Sequence, residues 1–137
     1  MNAPLPLVSE SLVVPQPYLL FLGDTTEASF AKTAFGLAHW APDQCVGEMA
    51  LPGATVTTGL ARITPAQARD AGAQSLVIGV ANQGGVLGAG WIEALVDAMD
   101  AGLHIVSGLH VRLSSVPALK EAATRNDRRL IDIRTPP

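Results

Sequence analysis

A chain of 137 residues, 48% apolar and 15% charged, is long enough for one domain with its own core and too apolar for a disordered tail. Nine Lys and Arg against twelve Asp and Glu leave a net charge of −3. The densest basic cluster is only Arg125, Arg128 and Arg129, which argues against a nucleic-acid partner.

Residues 1–17 carry Pro4, Pro6, Pro15 and Pro17 and no helical period, so they predict an extended N-terminal arm. Leu12–Val14 could lie against another surface, a second subunit included. The arm lacks the basic start of a signal peptide, and no stretch approaches the ~20 apolar residues of a membrane span. These features predict a soluble, cytoplasmic protein with no membrane partner. The single Cys45 permits neither an internal disulfide nor a zinc pair and reads as a buried, reduced thiol.

The first strand is expected over Tyr18–Leu22, closed by Gly23 and Asp24. Asp24 and Glu27 have capping-box spacing for a helix of about Thr25–His39, with Phe30, Ala31, Ala34, Phe35 and Ala38 as its buried stripe. Pro42 prevents its continuation. A weaker strand follows at Cys45–Met49, whereas residues 51–63 read either as a short edge strand or as loop. Thr64-Pro65-Ala66-Gln67 is an N-cap, a proline at the first helical position and a capping-box glutamine, with Gly72 placed to end that helix.

Leu76–Ala81 is an unbroken apolar run, the pattern of a strand buried on both faces at the centre of a parallel sheet. Including Ser75, the strand is expected over residues 75–81. It breaks into Asn82, Gln83, Gly84 and Gly85, and Trp91, Ile92, Leu95, Val96 and Met99 then mark the next helix, closed by Gly102. A fourth strand is expected at Leu103–Ser107, a helix at Pro117 and Ala118–Thr124, and a fifth strand at Arg129–Ile133. Strands spaced by helices imply an α/β, Rossmann-like three-layer domain over residues 18–134. The expected sheet is five-stranded and mainly parallel, in the order 3-2-1-4-5 of the Rossmann half or its flavodoxin-like relative.

Such folds place their sites where strands end and helices begin. Those points are Asp24, Asn82–Gly85, Ser107–Arg112 and Asp132–Arg134. The glycines after the third strand either cradle an anion at a helix N-terminus or simply make a tight turn. Asp24 is an N-cap or a carboxylate facing a ligand, and the two roles can coexist. His110, just past the fourth strand beside Ser107 and Arg112, can act as a base near neutral pH, and Arg112 can clamp a carboxylate or phosphate. His39 and His104, at a helix end and a strand entrance, read as structural, and Trp40 and Trp91 as packing residues. Neither GxGxxG after the first strand nor GxxxxGK[ST] anywhere is present, so a dehydrogenase or Walker-type reading lacks its fingerprint. No metal-ligand spacing is found.

Several stretches together are similar to one bacterial and archaeal family: Tyr18-Leu-Leu-Phe-Leu-Gly-Asp24, Ala38-His-Trp40, Cys45-Val-Gly47, Leu76–Asn82 with Gly84-Gly85, Ala101-Gly-Leu103, Ser107-Gly-Leu-His110 with Arg112-Leu113, and Leu130-Ile-Asp132 with Arg134. Over residues 18–137 the chain resembles the N-terminal Rossmann-like domain of the DgcN family, long catalogued as a domain of unknown function and including D-glutamate N-acetyltransferase. The resemblance implies D-amino acid catabolism, acetyl-CoA as co-substrate of the whole protein, and a C-terminal P-loop-like domain joined through residues 135–137. It implies no cofactor bound by this domain itself. Arg112 would then clamp substrate, Asn82–Gly85 would donate backbone N–H groups, and His110 or Asp24 would be the base. The alternative is a non-catalytic domain that binds a small anion or nucleotide or builds a homo-oligomer.

Overall fold

The computed structural model describes residues 14–81 and 87–133. Five strands, β1 (Tyr18–Phe21), β2 (Cys45–Met49), β3 (Ser75–Ile78), β4 (His104–Ser107) and β5 (Leu130–Asp132), form one sheet in the order β2-β1-β3-β4-β5. Every pairing is parallel. Four helices connect them: α1 (Lys32–Trp40), α2 (Pro65–Asp70), α3 (Ala89–Asp100) and α4 (Pro117–Asn126). The expected Rossmann-like α/β architecture is therefore present. None of the helices is long and apolar enough to cross a membrane.

The strand order corrects one expectation. In place of 3-2-1-4-5, β3 stands directly beside β1, with Leu19 opposite Leu76 and Phe21 opposite Ile78. The cause lies in what each strand can bury. All four residues of β3 are buried, so both its faces need cover, and the sheet's middle provides it. β2 carries Glu48 and takes the edge, where a polar shell can reach the carboxylate. Beyond β2, a single parallel bridge joins Glu48 to Arg62. Counting that bridge as a strand would recover 3-2-1 on this side, so the open question over residues 51–63 resolves into one bridge and a loop.

The α1 region also departs from expectation. Asp24 and Glu27 form no capping box. A 3-10 turn occupies Ala28–Phe30, and α1 begins only at Lys32. Ala31, Ala34 and Leu37 are buried, but Phe30 is 36% exposed and Trp40 72% exposed. Trp40 is thus no packing residue; its only described ring neighbour is His39, edge-on at 4.8 Å.

Elsewhere the local signals operate as expected. Thr64 Oγ1 accepts the Gln67 N–H at 3.1 Å while Gln67 Oε1 accepts the Thr64 N–H at 2.9 Å. Gly72 and Gly102 take φ of +99° and +103° just past α2 and α3, the left-handed conformation that ends a helix without a Cβ penalty. Ala34 of α1 presses on Gly79, and Trp91 of α3 packs edge-on to Phe21 at 5.3 Å. Phe21 pairs with Ile78, so Gly79 points to the opposite face, and α1 and α3 cover opposite faces of the sheet. Of the expected N-terminal arm, residues 1–13 lie outside the described part. Val14 is buried, and the Pro15 and Pro17 carbonyls accept from Ser75 Oγ and the Gln74 N–H, which ties this end to the foot of β3.

Candidate functional site

Because all five strands run the same way, their carboxyl ends share one rim. Met49, Phe21, Ile78, Ser107 and Asp132 lie side by side in register across it. The topological switch falls between β1 and β3, where such sheets open a crevice.

The β1 side of that crevice is filled by the protein itself. Gly23 adopts φ +58°, and a Cβ there would stand 2.6 Å from Trp91 Cζ2. The indole therefore lies directly on the turn, and its Nε1 donates to Asp24 Oδ1 at 3.0 Å. The Ala34 N–H, in the first turn of α1, donates to Gly79 O at 3.0 Å, and Ala81 N–H donates to Phe30 O at 2.7 Å. A dinucleotide fold uses this helix end for pyrophosphate. Here a first-turn donor is already spent on the backbone after β3.

Glu48, near the end of β2, is likewise committed. Its carboxylate is 1% exposed and accepts from Thr57 Oγ1 at 2.7 Å, Thr58 N at 2.7 Å, Thr58 Oγ1 at 2.6 Å and Arg62 Nε at 2.9 Å. Burial alone would push this carboxyl up, but the hydrogen bonds from Thr58, Thr57 and Arg62 together hold it below its ordinary value. An acidic residue near this position would hold a ribose in a nucleotide site; Glu48 holds its own loop instead.

The β4–β5 side is built differently. Ser107 is fully buried at the tip of β4, and its Oγ accepts the Leu109 N–H at 3.0 Å. Its neighbour across the strands, Asp132, accepts the Leu113 N–H on Oδ1 at 3.1 Å. The Ile133 N–H donates to Ser107 O at 2.9 Å and joins the two tips. The loop between is stapled at both ends. Leu109 and Leu113 turn inward and are buried, while His110 and Arg112 stand exposed between them. Burial raises the Asp132 carboxyl above its usual range, against the opposing pulls of the Leu113 N–H and the Arg112 charge.

The structure thus brings Ser107, His110 and Arg112 together and adds Asp132 as their anchor. Asp24 lies on the same rim, across the tip of β3, fastened to Trp91. Asn82, Gln83, Gly84 and Gly85 fall outside the described residues, as does Arg134. His104, at the foot of β4, accepts the Arg129 N–H on Nδ1 at 2.9 Å, a structural role away from the rim. Among the described residues no three His, Cys, Asp or Glu side chains gather as a metal site requires. Sequence reasoning missed the roles of Glu48 and Trp91, whose partners lie up to 14 and 67 residues away.

Comparison with known proteins gives this arrangement relatives. The chain is 44% identical over 124 residues to D-glutamate N-acetyltransferase of Tritonibacter scottomollicae, and 41% identical over 123 residues to D-glutamate N-acetyltransferase of a Pseudoalteromonas species. Each match takes in 90% of this chain but 37% of the relative, so the chain spans little more than a third of their length. The crystal structure of a DUF1611 family protein from Anabaena variabilis superposes with a TM-score of 0.66 at 28% identity, over 89% of this chain and 38% of that one. Residues 45–136 match the model of a domain of unknown function, DUF1611_N, described as a Rossmann-like domain. With two-thirds of its length inside that match and the parallel α/β sheet to go with it, the chain belongs to the DUF1611_N family of Rossmann-like domains.

Proposed function

We propose that this chain is the amino-terminal, substrate-holding domain of an acetyl-CoA-dependent D-glutamate N-acetyltransferase. The observation that carries the reading is the identity to two enzymes of that name along nine-tenths of the chain. The rim supports it, since it presents an exposed guanidinium and an exposed imidazole on a pinned loop while the first turn of the sheet is filled.

In this reaction a base removes a proton from the substrate ammonium, the amine attacks the thioester carbonyl, and the CoA thiolate leaves. Arg112 is assigned to a substrate carboxylate, and the backbone N–H groups of Asn82–Gly85 to the developing oxyanion. His110 or Asp24 serves as the base. His110 is the less committed of the two, because Asp24 already takes the Trp91 N–H on Oδ1. The remaining two-thirds of the protein, P-loop-like by family resemblance, would hold the phosphates of CoA, so this chain alone does not turn over. The test follows release of the CoA thiol from acetyl-CoA and D-glutamate, using the longer protein that contains this chain. Arg112→Ala and His110→Ala are each expected to lower turnover by roughly 10²–10⁴-fold. Wild-type rates in both variants would remove this loop from the mechanism.

A second reading, a non-catalytic binding or homo-oligomerising domain, draws on Trp40. An indole 72% exposed at the end of α1 is the kind of anchor that interfaces bury. Light scattering separates the two: a dimer dissolved by Trp40→Ser, with no loss of turnover in the longer protein, assigns the patch to assembly alone.

A further inference from the structure

Two side chains of opposite charge flank the stapled loop without pairing. The ion pairs among the described residues are Glu48–Arg62, Asp100–Arg125 and Glu121–Arg125, and Arg112 enters none of them. Yet Arg112 directly precedes Leu113, whose N–H is held by Asp132 Oδ1 at 3.1 Å, so the two residues are neighbours on the rim. Asp132 Oδ1 is held by the Leu113 N–H, whereas its second oxygen has no partner among the described residues. Among the described residues Arg112 therefore presents an uncommitted guanidinium and Asp132 an uncommitted oxygen, on adjacent parts of one rim.

We propose that these two groups form a zwitterion site, Asp132 receiving the ammonium of an amino acid whose carboxylate is held by Arg112. The proposal rests on the reading of Arg112 as a carboxylate clamp and adds a residue and a ligand class to it. The electrostatics point the same way. Burial disfavours charge on Asp132, and Arg112 and the Leu113 N–H only partly offset that, so a bound ammonium supplies the missing positive partner. The staple matters equally. Ser107 Oγ at the loop's entrance and Asp132 Oδ1 at its exit set the spacing of the two charges before any ligand arrives, which lowers the ordering cost of binding.

The experiment titrates the isotope-labelled chain with D-glutamate and with glutarate, which lacks the ammonium, and follows the amide signals of residues 107–113 and 130–133. Asp132→Asn keeps an oxygen for the Leu113 N–H but places an N–H donor where the ammonium would sit. It is expected to weaken D-glutamate binding roughly tenfold or more while leaving glutarate binding unchanged. Arg112→Ala is expected to weaken both ligands. An unchanged Leu113 amide signal in Asp132→Asn certifies that the loop is intact. Equal loss for both ligands, no loss for either, or no signal changes in the unmodified chain would each overturn the site. Acetyl transfer by the longer protein is read separately. Selective binding without transfer sinks the catalytic reading alone, while an unaltered KM for D-glutamate in Asp132→Asn sinks this one.

Discussion

The indole N–H of Trp91 reaches from the first turn of α3 to the Asp24 carboxylate beyond the tip of β1, at 3.0 Å. The same ring presses on Gly23, so one side chain both closes the first turn of the sheet and fixes the carboxylate next to it. A dehydrogenase needs that turn open to a pyrophosphate. In this protein the indole occupies that turn.

Gly23→Ala tests how tightly that turn is closed. The substitution meets two costs: φ +58° in a residue with a Cβ, and a Cβ placed 2.6 Å from an aromatic carbon. The first costs roughly 1–2 kcal/mol and the second roughly 1–3 kcal/mol. A loss of about 2–5 kcal/mol should appear in urea unfolding. Trp91→Phe, which removes the hydrogen bond but leaves a ring, should lose less. A Gly23→Ala midpoint equal to the unmodified protein's would show that the indole is not packed as described.

Glu48 predicts an acid-sensitive loop. Its folded-state carboxyl is held below the ordinary value of 4.5, so the folded form binds its proton more weakly than the unfolded chain does. The stability it contributes is fully present above the unfolded value and is lost as pH falls through the lowered folded value. Glu48→Gln should cost about 2 kcal/mol at neutral pH, since it removes the charge that Thr57, Thr58 and Arg62 converge on. It should also flatten the fall in stability below pH ~4.5, and parallel curves for the two proteins would contradict this assignment.

Local signals were legible and distant partnerships were not. Thr64 and Gln67 sit three residues apart, so their capping box could be read directly, as could the doubly buried run of β3. Asp24 and Glu27 have similar spacing, yet Trp91, 67 residues away, takes the Asp24 carboxylate and α1 starts later. Strand order depended on which strand needed cover on both faces, a comparison between β2 and β3 that periodicity does not make. Glu48 carried no signal of its role within its own strand, because its donors fold back from residues 57–62. On the rim, His110 and Arg112 could be placed from their position after β4. The pinning of their loop by Asp132 required the register that sets β5 beside β4.

Thr64→Ala should destabilise the protein by about 1 kcal/mol, because α2 is only six residues long and its first-turn N–H groups have little other support. Thr64→Ser, which retains the oxygen, should restore most of that loss. Urea midpoints for the three proteins provide the check; an Ala variant as stable as the parent would mean that packing of Ala68 alone holds the helix.

Cys45 gives the foot of β2 a chemical readout. The thiol is buried, its Sγ lies 3.5 Å from Ala41 O, and burial pushes its pKa up to about 11 from an ordinary value of 9.0. Since only the thiolate is nucleophilic, a disulfide reagent should modify the folded protein at pH 8 far more slowly than the urea-unfolded chain. The linkage has the opposite sign to that of Glu48. A folded pKa above the unfolded one means the stabilising contribution is complete below pH 9.0 and is withdrawn as pH rises toward about 11. Cys45→Ala should therefore remove part of the alkaline loss of stability while creating a small cavity beside Tyr18, its partner across β1 and β2. Modification of the folded protein as fast as the unfolded chain would show that the foot of β2 opens readily to solvent.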